Sequence, residues 1–288
     1  MEVLQTDSWE EALELKAAHP DAVPIAGGTD LMVELNFDRI RPPAILDLTR
    51  IEELMEWGTY DGHVRVGAGV TYARLIGELS ERLPGLAIAS RTIGSPQIRN
   101  RGTVGGNLGT ASPAGDALPP LFASDAEVEL ASTAGTRRIP VGDFITGPKR
   151  NGLRDDELIA AFHVAAADGP QQFAKIGTRN AMVIAVCSLA LAIWPARRGV
   201  AACIGSAGPT PIRASDAEEF IAGVLEEHDL WSARTPIPDA ALTRFGELVE
   251  QAARPIDDVR GTARYRHHAL GVLARRTLTW AWEAYTCA

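Results

Sequence analysis

From Gly94 to Asp116 the chain carries six glycines, two prolines and many short polar side chains, with little apolar periodicity. A stretch this long without a packing pattern is either functional or disordered. Its few charges, and Ile93, Ile98, Val104 and Leu108 as available anchors, argue against disorder. At its centre stands Thr103-Val104-Gly105-Gly106-Asn107. A second glycine-rich segment, Pro24-Ile25-Ala26-Gly27-Gly28-Thr29-Asp30-Leu31, falls between a predicted strand, Val23 to Ala26, and a short helix. Paired glycines let a backbone approach a ligand closely and reach positive φ. Thr29 and Asp30 suit a helix N-terminus, where free N–H groups can cradle phosphate. Taken alone, Pro24 to Leu31 reads as a tight strand-to-helix turn. With the longer stretch beside it, backbone cradles for a large phosphorylated ligand are the better reading, and Asp116 could accept a hydrogen bond from a ribose hydroxyl or another polar group.

The totals narrow the classes. The 288 residues allow one large or two modest domains, and a composition 46% hydrophobic and 23% charged is that of a globular protein. A formal charge of −9 and a pI near 5.2 argue against non-specific nucleic-acid binding. The longest apolar run, Ala181 to Trp194, is shorter than a membrane span needs. The opening MEVLQTDSWEEALE has neither a basic nor an apolar signal region, so a cytoplasmic location is expected. Cys187, Cys203 and Cys287 stand far apart, which does not suit an iron–sulfur cluster or a zinc site. Cys187 and Cys203 are expected to be reduced core thiols.

Ser8-Trp9-Glu10-Glu11 has the capping-box pattern and predicts a helix ending near Pro20. Strands are expected at Ala44 to Leu48 and His63 to Gly67, a helix over Thr71 to Leu83, and a hairpin of Ala126 to Ala131 with Arg137 to Val141. Leu158 to Val164, Phe173 to Ile176, Ile184 to Trp194 and Val200 to Ile204 read as one antiparallel meander, because their links are too short for parallel crossovers. Helices follow over Asp239 to Ala253 and Thr262 to Tyr285. In the latter, Leu270, Leu273, Ala274, Thr277, Ala281 and Ala284 form a stripe that would pack on the sheet. The fold class is α+β in two parts, with a boundary near Asp168-Gly169-Pro170.

Other motifs fail. Gly67-Ala68-Gly69-Val70-Thr71-Tyr72 starts like a dinucleotide fingerprint but ends in tyrosine outside a βαβ pattern. No Gly-Lys-Ser/Thr loop is present. His267 and His268 are adjacent on a predicted helix, where neighbours point about 100° apart. No metal site and no catalytic residue is expected.

AGGTDL, followed by IGSPQIRNRGTVGGNLGTASPAGDALP, resembles the flavoprotein subunit of the xanthine dehydrogenase and carbon monoxide dehydrogenase family of molybdenum hydroxylases. The likeness continues through FAKIGTR, GSAGPTPIRA and DDVRGTARYRHHALGVLARRTL, so it covers nearly the whole chain. It implies an FAD-binding domain of the vanillyl-alcohol-oxidase type over residues 1–168, built of two α+β lobes. A C-terminal domain of antiparallel strands and helices over 169–288 would follow. It implies non-covalent FAD held by Pro24, Ile25, Ala26, Gly27, Gly28, Thr29, Asp30 and Leu31, and by Thr103, Val104, Gly105, Gly106 and Asn107. By position Ile93, Asp116, Leu158 and Lys175 would be further contacts. The Lys175 cation could then stabilise a reduced flavin; without the resemblance, Lys175 reads as an exposed strand residue.

The resemblance also implies partners. A large subunit would carry molybdopterin and a small subunit two [2Fe–2S] clusters, in a dimer of heterotrimers passing electrons through FAD to NAD⁺ or another acceptor. Two departures stand out: Val183 occupies a position that is often aspartate, and Gly94-Ser95-Pro96 replaces a more glycine-rich version. Two rival readings are a stand-alone flavin oxidase or reductase, for which no substrate base can be named, and a non-catalytic binding or assembly module. The residues do not reveal the substrate of such a complex.

Overall fold

The computed structural model describes residues 1–287. The chain packs as two compact units: 1–78, 95–112 and 125–165 form the first, and 79–94, 113–124 and 166–288 the second. The expected domains are contiguous segments, whereas the second unit by packing also draws in two stretches from the N-terminal half.

In the first unit, β1 (Glu2–Gln5), β2 (Val23–Ile25) and β3 (Ala44–Asp47) form a parallel sheet with β3 central. The helix Trp9–Ala18 connects β1 to β2. Ser8 caps it by accepting from the Glu11 N–H at 3.3 Å. The return half of the expected capping box is not made: the Ser8 N–H donates to Thr6 Oγ1 at 3.0 Å, and Thr6 in turn bonds the Glu11 carboxylate. A hydroxyl two residues upstream thus takes the place of the carboxylate.

The second sheet of this unit is antiparallel. Its strands are β4 (Trp57–Tyr60), β5 (His63–Gly67), β6 (Glu127–Ser132) and β7 (Gly135–Pro140), with a separate small pair of β8 (Ile145–Gly147) and β9 (Arg150–Asn151), and then β10 (Leu158–Ala165). The order is β4-β5-β10-β6-β7. Val64, Val66, Val128, Leu130, Phe162 and Val164 are buried on one face, as period-2 alternation requires. The expected hairpin β6–β7 forms.

The meander expectation is corrected at β10. This strand does not pair with β11 but lies between β5 and β6, with every residue except Ala165 buried. Link length limits whether successive strands can be parallel neighbours but not which sheet receives each strand, and a strand this apolar seeks a central position.

In the second unit β11 (Gln171–Ile176), β12 (Cys187–Trp194), β13 (Gly199–Gly205) and β14 (Ile212–Arg213) form the meander. The third expected strand starts at Cys187 rather than Ile184. Cys187, Leu189, Leu191 and Ile193 face a core shared with the helices Ser215–Glu227, Asp239–Ala252 and Ala263–Thr286. The first of these three was not foreseen from the sequence. On the long terminal helix Leu270, Leu273, Ala274, Thr277 and Ala281 are buried as expected, while Ala284 is exposed and Leu278 and Trp282 complete the stripe. Truncating one such leucine to alanine costs about 2–5 kcal/mol. The short helices Pro84–Arg91 and Leu118–Ala123 pack against β11 to β13. No helix of the described residues is long and apolar enough to cross a membrane.

Candidate functional site

The first glycine segment turns from β2 into the helix Leu31–Asn36. Gly27 meets backbone: a Cβ there would overlap the Arg101 carbonyl oxygen and stand 2.9 Å from Gly102 Cα. Two chain segments cross at this point. Gly28 has φ +72° and meets only side chains, the nearest being Ile25 Cδ1 at 3.3 Å. The backbone N–H groups of Gly28, Thr29 and Asp30 have no acceptor among the described residues. They are donors available to an anionic ligand. Asp30 stands at the helix N-cap but does not cap it; its Oδ2 instead accepts from Thr110 Oγ1 at 3.0 Å.

The second segment is not the irregular loop its composition suggests. Ser95 caps a short helix Pro96–Arg99, and Thr103 caps the helix Val104–Thr110 by accepting from the Gly106 N–H at 2.9 Å. Each cap is a hydroxyl residue in extended conformation, and Pro96 at the first helical position is a further start signal. Val104 and Leu108 anchor the stretch, whereas Ile98 is exposed and does not. Gly105 is pressed on the Ala68 backbone, where a Cβ would come within 2.5 Å of the carbonyl oxygen. Gly106 is exposed, and a Cβ there would meet only Thr103 Oγ1, at 3.2 Å.

The two segments therefore interlock within the first unit. Gly27 lies over Arg101-Gly102, Tyr72 N donates to Gly102 O at 3.0 Å, Thr71 pairs with Thr103, and Asp30 holds Thr110. Thr110 and Ala68 were missed in the sequence: nothing local marks a partner 80 residues from Asp30. Leu158, at the head of β10, is 1% exposed and is a core residue of the same unit.

Ile93, Asp116 and Lys175 belong to the second unit. Lys175 is not an exposed strand residue. Its Nζ donates to Asp116 Oδ2 at 2.6 Å, to the Thr92 carbonyl at 2.9 Å and to the Val183 carbonyl at 3.2 Å, which uses all three ammonium hydrogens. Burial pushes the Asp116 carboxyl above its ordinary range, and the Lys175 ammonium opposes it. Asp116 Oδ1 is buried without a partner among the described residues. A buried acceptor left open fits a ligand hydroxyl or N–H. Val183, the first of the two departures noted in the sequence, contributes its backbone carbonyl to Lys175. Half-buried Ile93 directly follows Thr92.

Residues 1–166 match the FAD binding domain in molybdopterin dehydrogenase, and residues 172–281 match the CO dehydrogenase flavoprotein C-terminal domain. The chain belongs to this family. The xanthine dehydrogenase FAD-binding subunit of Escherichia coli is 30% identical over 93% of this chain and 91% of its own length. The nicotinate dehydrogenase FAD-subunit of Eubacterium barkeri is 32% identical over 79% of this chain and 81% of its own. Among solved structures, carbon monoxide dehydrogenase from Hydrogenophaga pseudoflava superposes with a TM-score of 0.89 at 26% identity, covering 99% of this chain and 98% of that one. The protein is thus an FAD-binding medium subunit of the molybdenum hydroxylase family, an oxidoreductase component with the α+β fold of the carbon monoxide dehydrogenase medium chain.

Two of the three cysteines of this medium subunit are placed for packing, while Cys287 is exposed. Cys187 and Cys203 are buried and free, and burial pushes the Cys187 thiol up to about 12 and that of Cys203 higher still. Thiols so disfavoured as thiolates are inert core residues. His267 Nδ1 bonds the Glu250 carbonyl between two helices, at 2.9 Å.

Proposed function

We propose that this subunit relays electrons from [2Fe–2S] clusters of a small partner subunit, through non-covalent FAD, to NAD⁺ or another acceptor. Substrate chemistry belongs to a molybdopterin-bearing large subunit, in a cytoplasmic dimer of heterotrimers. The reading is supported most by the interlocked glycine segments, which leave three successive N–H donors open beside Gly28, and by membership of the family. Pro24 to Leu31 and Thr103 to Asn107 hold the cofactor diphosphate, with Ile93, Asp116, Leu158 and Lys175 as further contacts. The domains as sequence segments are 1–168 and 169–288.

When bound, FAD supplies the reversible redox chemistry. The chain's own part is to bind and orient it: backbone donors at Gly28 to Asp30 meet negative charge, and Asp116 Oδ1 accepts a hydrogen bond. Lys175 acts by holding Asp116 and the Thr92 carbonyl in place.

Two measurements test this. Acid or heat denaturation of the purified yellow protein should release intact FAD; flavin kept on the denatured polypeptide would contradict non-covalent binding. The FAD-loaded chain alone should accept electrons from NADH or a dye yet oxidise no aldehyde, purine or N-heterocycle until both partners are added. Turnover of such substrates by the partner-free chain would instead make it a stand-alone flavin enzyme.

A further inference from the structure

On the face of the five-stranded sheet opposite its apolar core, one side chain from each strand joins a single row. These are Tyr60 on β4, Arg65 on β5, His163 on β10, Glu129 on β6 and Arg138 on β7. His163 is 2% exposed, roofed by its neighbours. Its Nε2 makes a short hydrogen bond to Glu129 Oε2, and its Nδ1 lies 2.7 Å from Tyr60 Oη. Arg65 donates to both Glu129 oxygens, at 3.2 and 2.9 Å. Arg138 donates to Tyr60 Oη at 3.2 Å and stands over the Tyr60 ring.

One proton arrangement satisfies every member. An ionised Glu129 can only accept, so Nε2 carries the imidazole hydrogen. Tyr60 Oη accepts from Arg138, and its own hydrogen goes to Nδ1. The imidazole is then neutral. A second proton would turn Nδ1 from acceptor into donor against Tyr60 Oη, forcing the phenol hydrogen away. It would also add a positive charge beside Arg65 and Arg138, with Glu129 the carboxylate bonded in the row. The other ionisable groups on this face are His63, stacked on Tyr60 at 5.8 Å, and the exposed Glu127, register partner of His163.

We infer that His163 is an acid-sensitive latch: neutral, it joins all five strands of this sheet, and one added proton breaks the row and loosens the first unit. The latch stands apart from the glycine segments and does not depend on what they bind. Burial depresses the His163 basicity more than the bond to Glu129 restores it. The folded chain therefore holds this proton less well than the unfolded chain. Stability is complete above the unfolded value, about 6.5, and falls as pH drops below it towards the lower folded value.

The test uses the full-length chain with ring-labelled histidine. The His163 signal, assigned by its loss in His163→Gln, should show the Nε2–H tautomer at neutral pH and titrate below about 6.5. In addition, His163→Gln can donate to Glu129 and accept from Tyr60 but cannot take up a proton. Its loss of melting temperature between about pH 7.5 and pH 5.5 should be roughly half that of the wild type or less. Titration at or above the ordinary histidine value, an Nδ1–H tautomer, or an unchanged acid loss in the variant would each overturn the latch. Should the variant not fold, the His163 ring is assigned instead through its contact with the Tyr60 ring, 5.6 Å away, and its titration in the wild type still decides.

Discussion

Gly27 and Gly28 stand in a turn between a strand and a helix, whereas Gly105 and Gly106 stand in the first turn of a helix. In both pairs the first glycine is pressed on another backbone stretch and the second faces open space or movable side chains. The means differ. Gly28 needs the left-handed region at φ +72°, while Gly106 has an ordinary helical backbone that any residue could adopt. A glycine-rich string thus contains positions required by the chain's own crossing, one required by a dihedral, and one at which only an outside ligand would object to a side chain.

Substitutions separate these roles. Gly27→Ala should have the largest effect, because its Cβ would overlap the Arg101 carbonyl and neither backbone can yield cheaply. A loss of roughly 3 kcal/mol or more is expected, with fold and flavin lost together by circular dichroism and flavin absorbance. A stable, cooperatively melting Gly27→Ala protein would show that the crossing is not needed.

Gly28→Ala should cost less, about 1–2 kcal/mol for an L-residue held in the left-handed region. The chain should still fold, with a lowered melting temperature and weakened FAD binding.

Gly106→Ala sharpens the contrast most. Alanine is the better helix former by about 0.8–1 kcal/mol in a helix interior, and its Cβ here would touch only Thr103 Oγ1, so stability should hold or rise slightly. FAD affinity should nevertheless fall roughly tenfold, equivalent to about 1.4 kcal/mol. Undiminished flavin affinity in this variant would remove the open face of Gly106 from the binding site.

The smallest effect is expected at the clasp between the segments. Asp30→Ala removes an exposed hydrogen bond to Thr110 worth about 0.5–1 kcal/mol. If the clasp acts only between these two residues, Thr110→Val should match it, and the double variant should be no worse than either single one in thermal melts.

Much of this was legible from local chemistry. The helix start at Ser8, the β6–β7 hairpin and the terminal helix with its stripe, Ala284 apart, follow from short-range patterns and form. The two glycine segments could be picked out because clustered glycines without apolar periodicity are unusual in a chain with this much core. Their fine structure could not: a run rich in glycine and proline reads as loop, yet Ser95 and Thr103 cap real helices within it.

The sequence by itself determined the two-part α+β character, the family and the positions of the glycine segments, because each is written in neighbouring residues or in one long string. Tertiary structure alone decided that β10 completes the first unit's sheet, that Gly27 crosses Arg101, that Lys175 is bound by Asp116, Thr92 and Val183, and that His163 closes a five-strand row. These pairings join residues from 8 to 103 positions apart. Side chains so separated carry no local sign of one another, and only the burial of common apolar faces selects which of them meet.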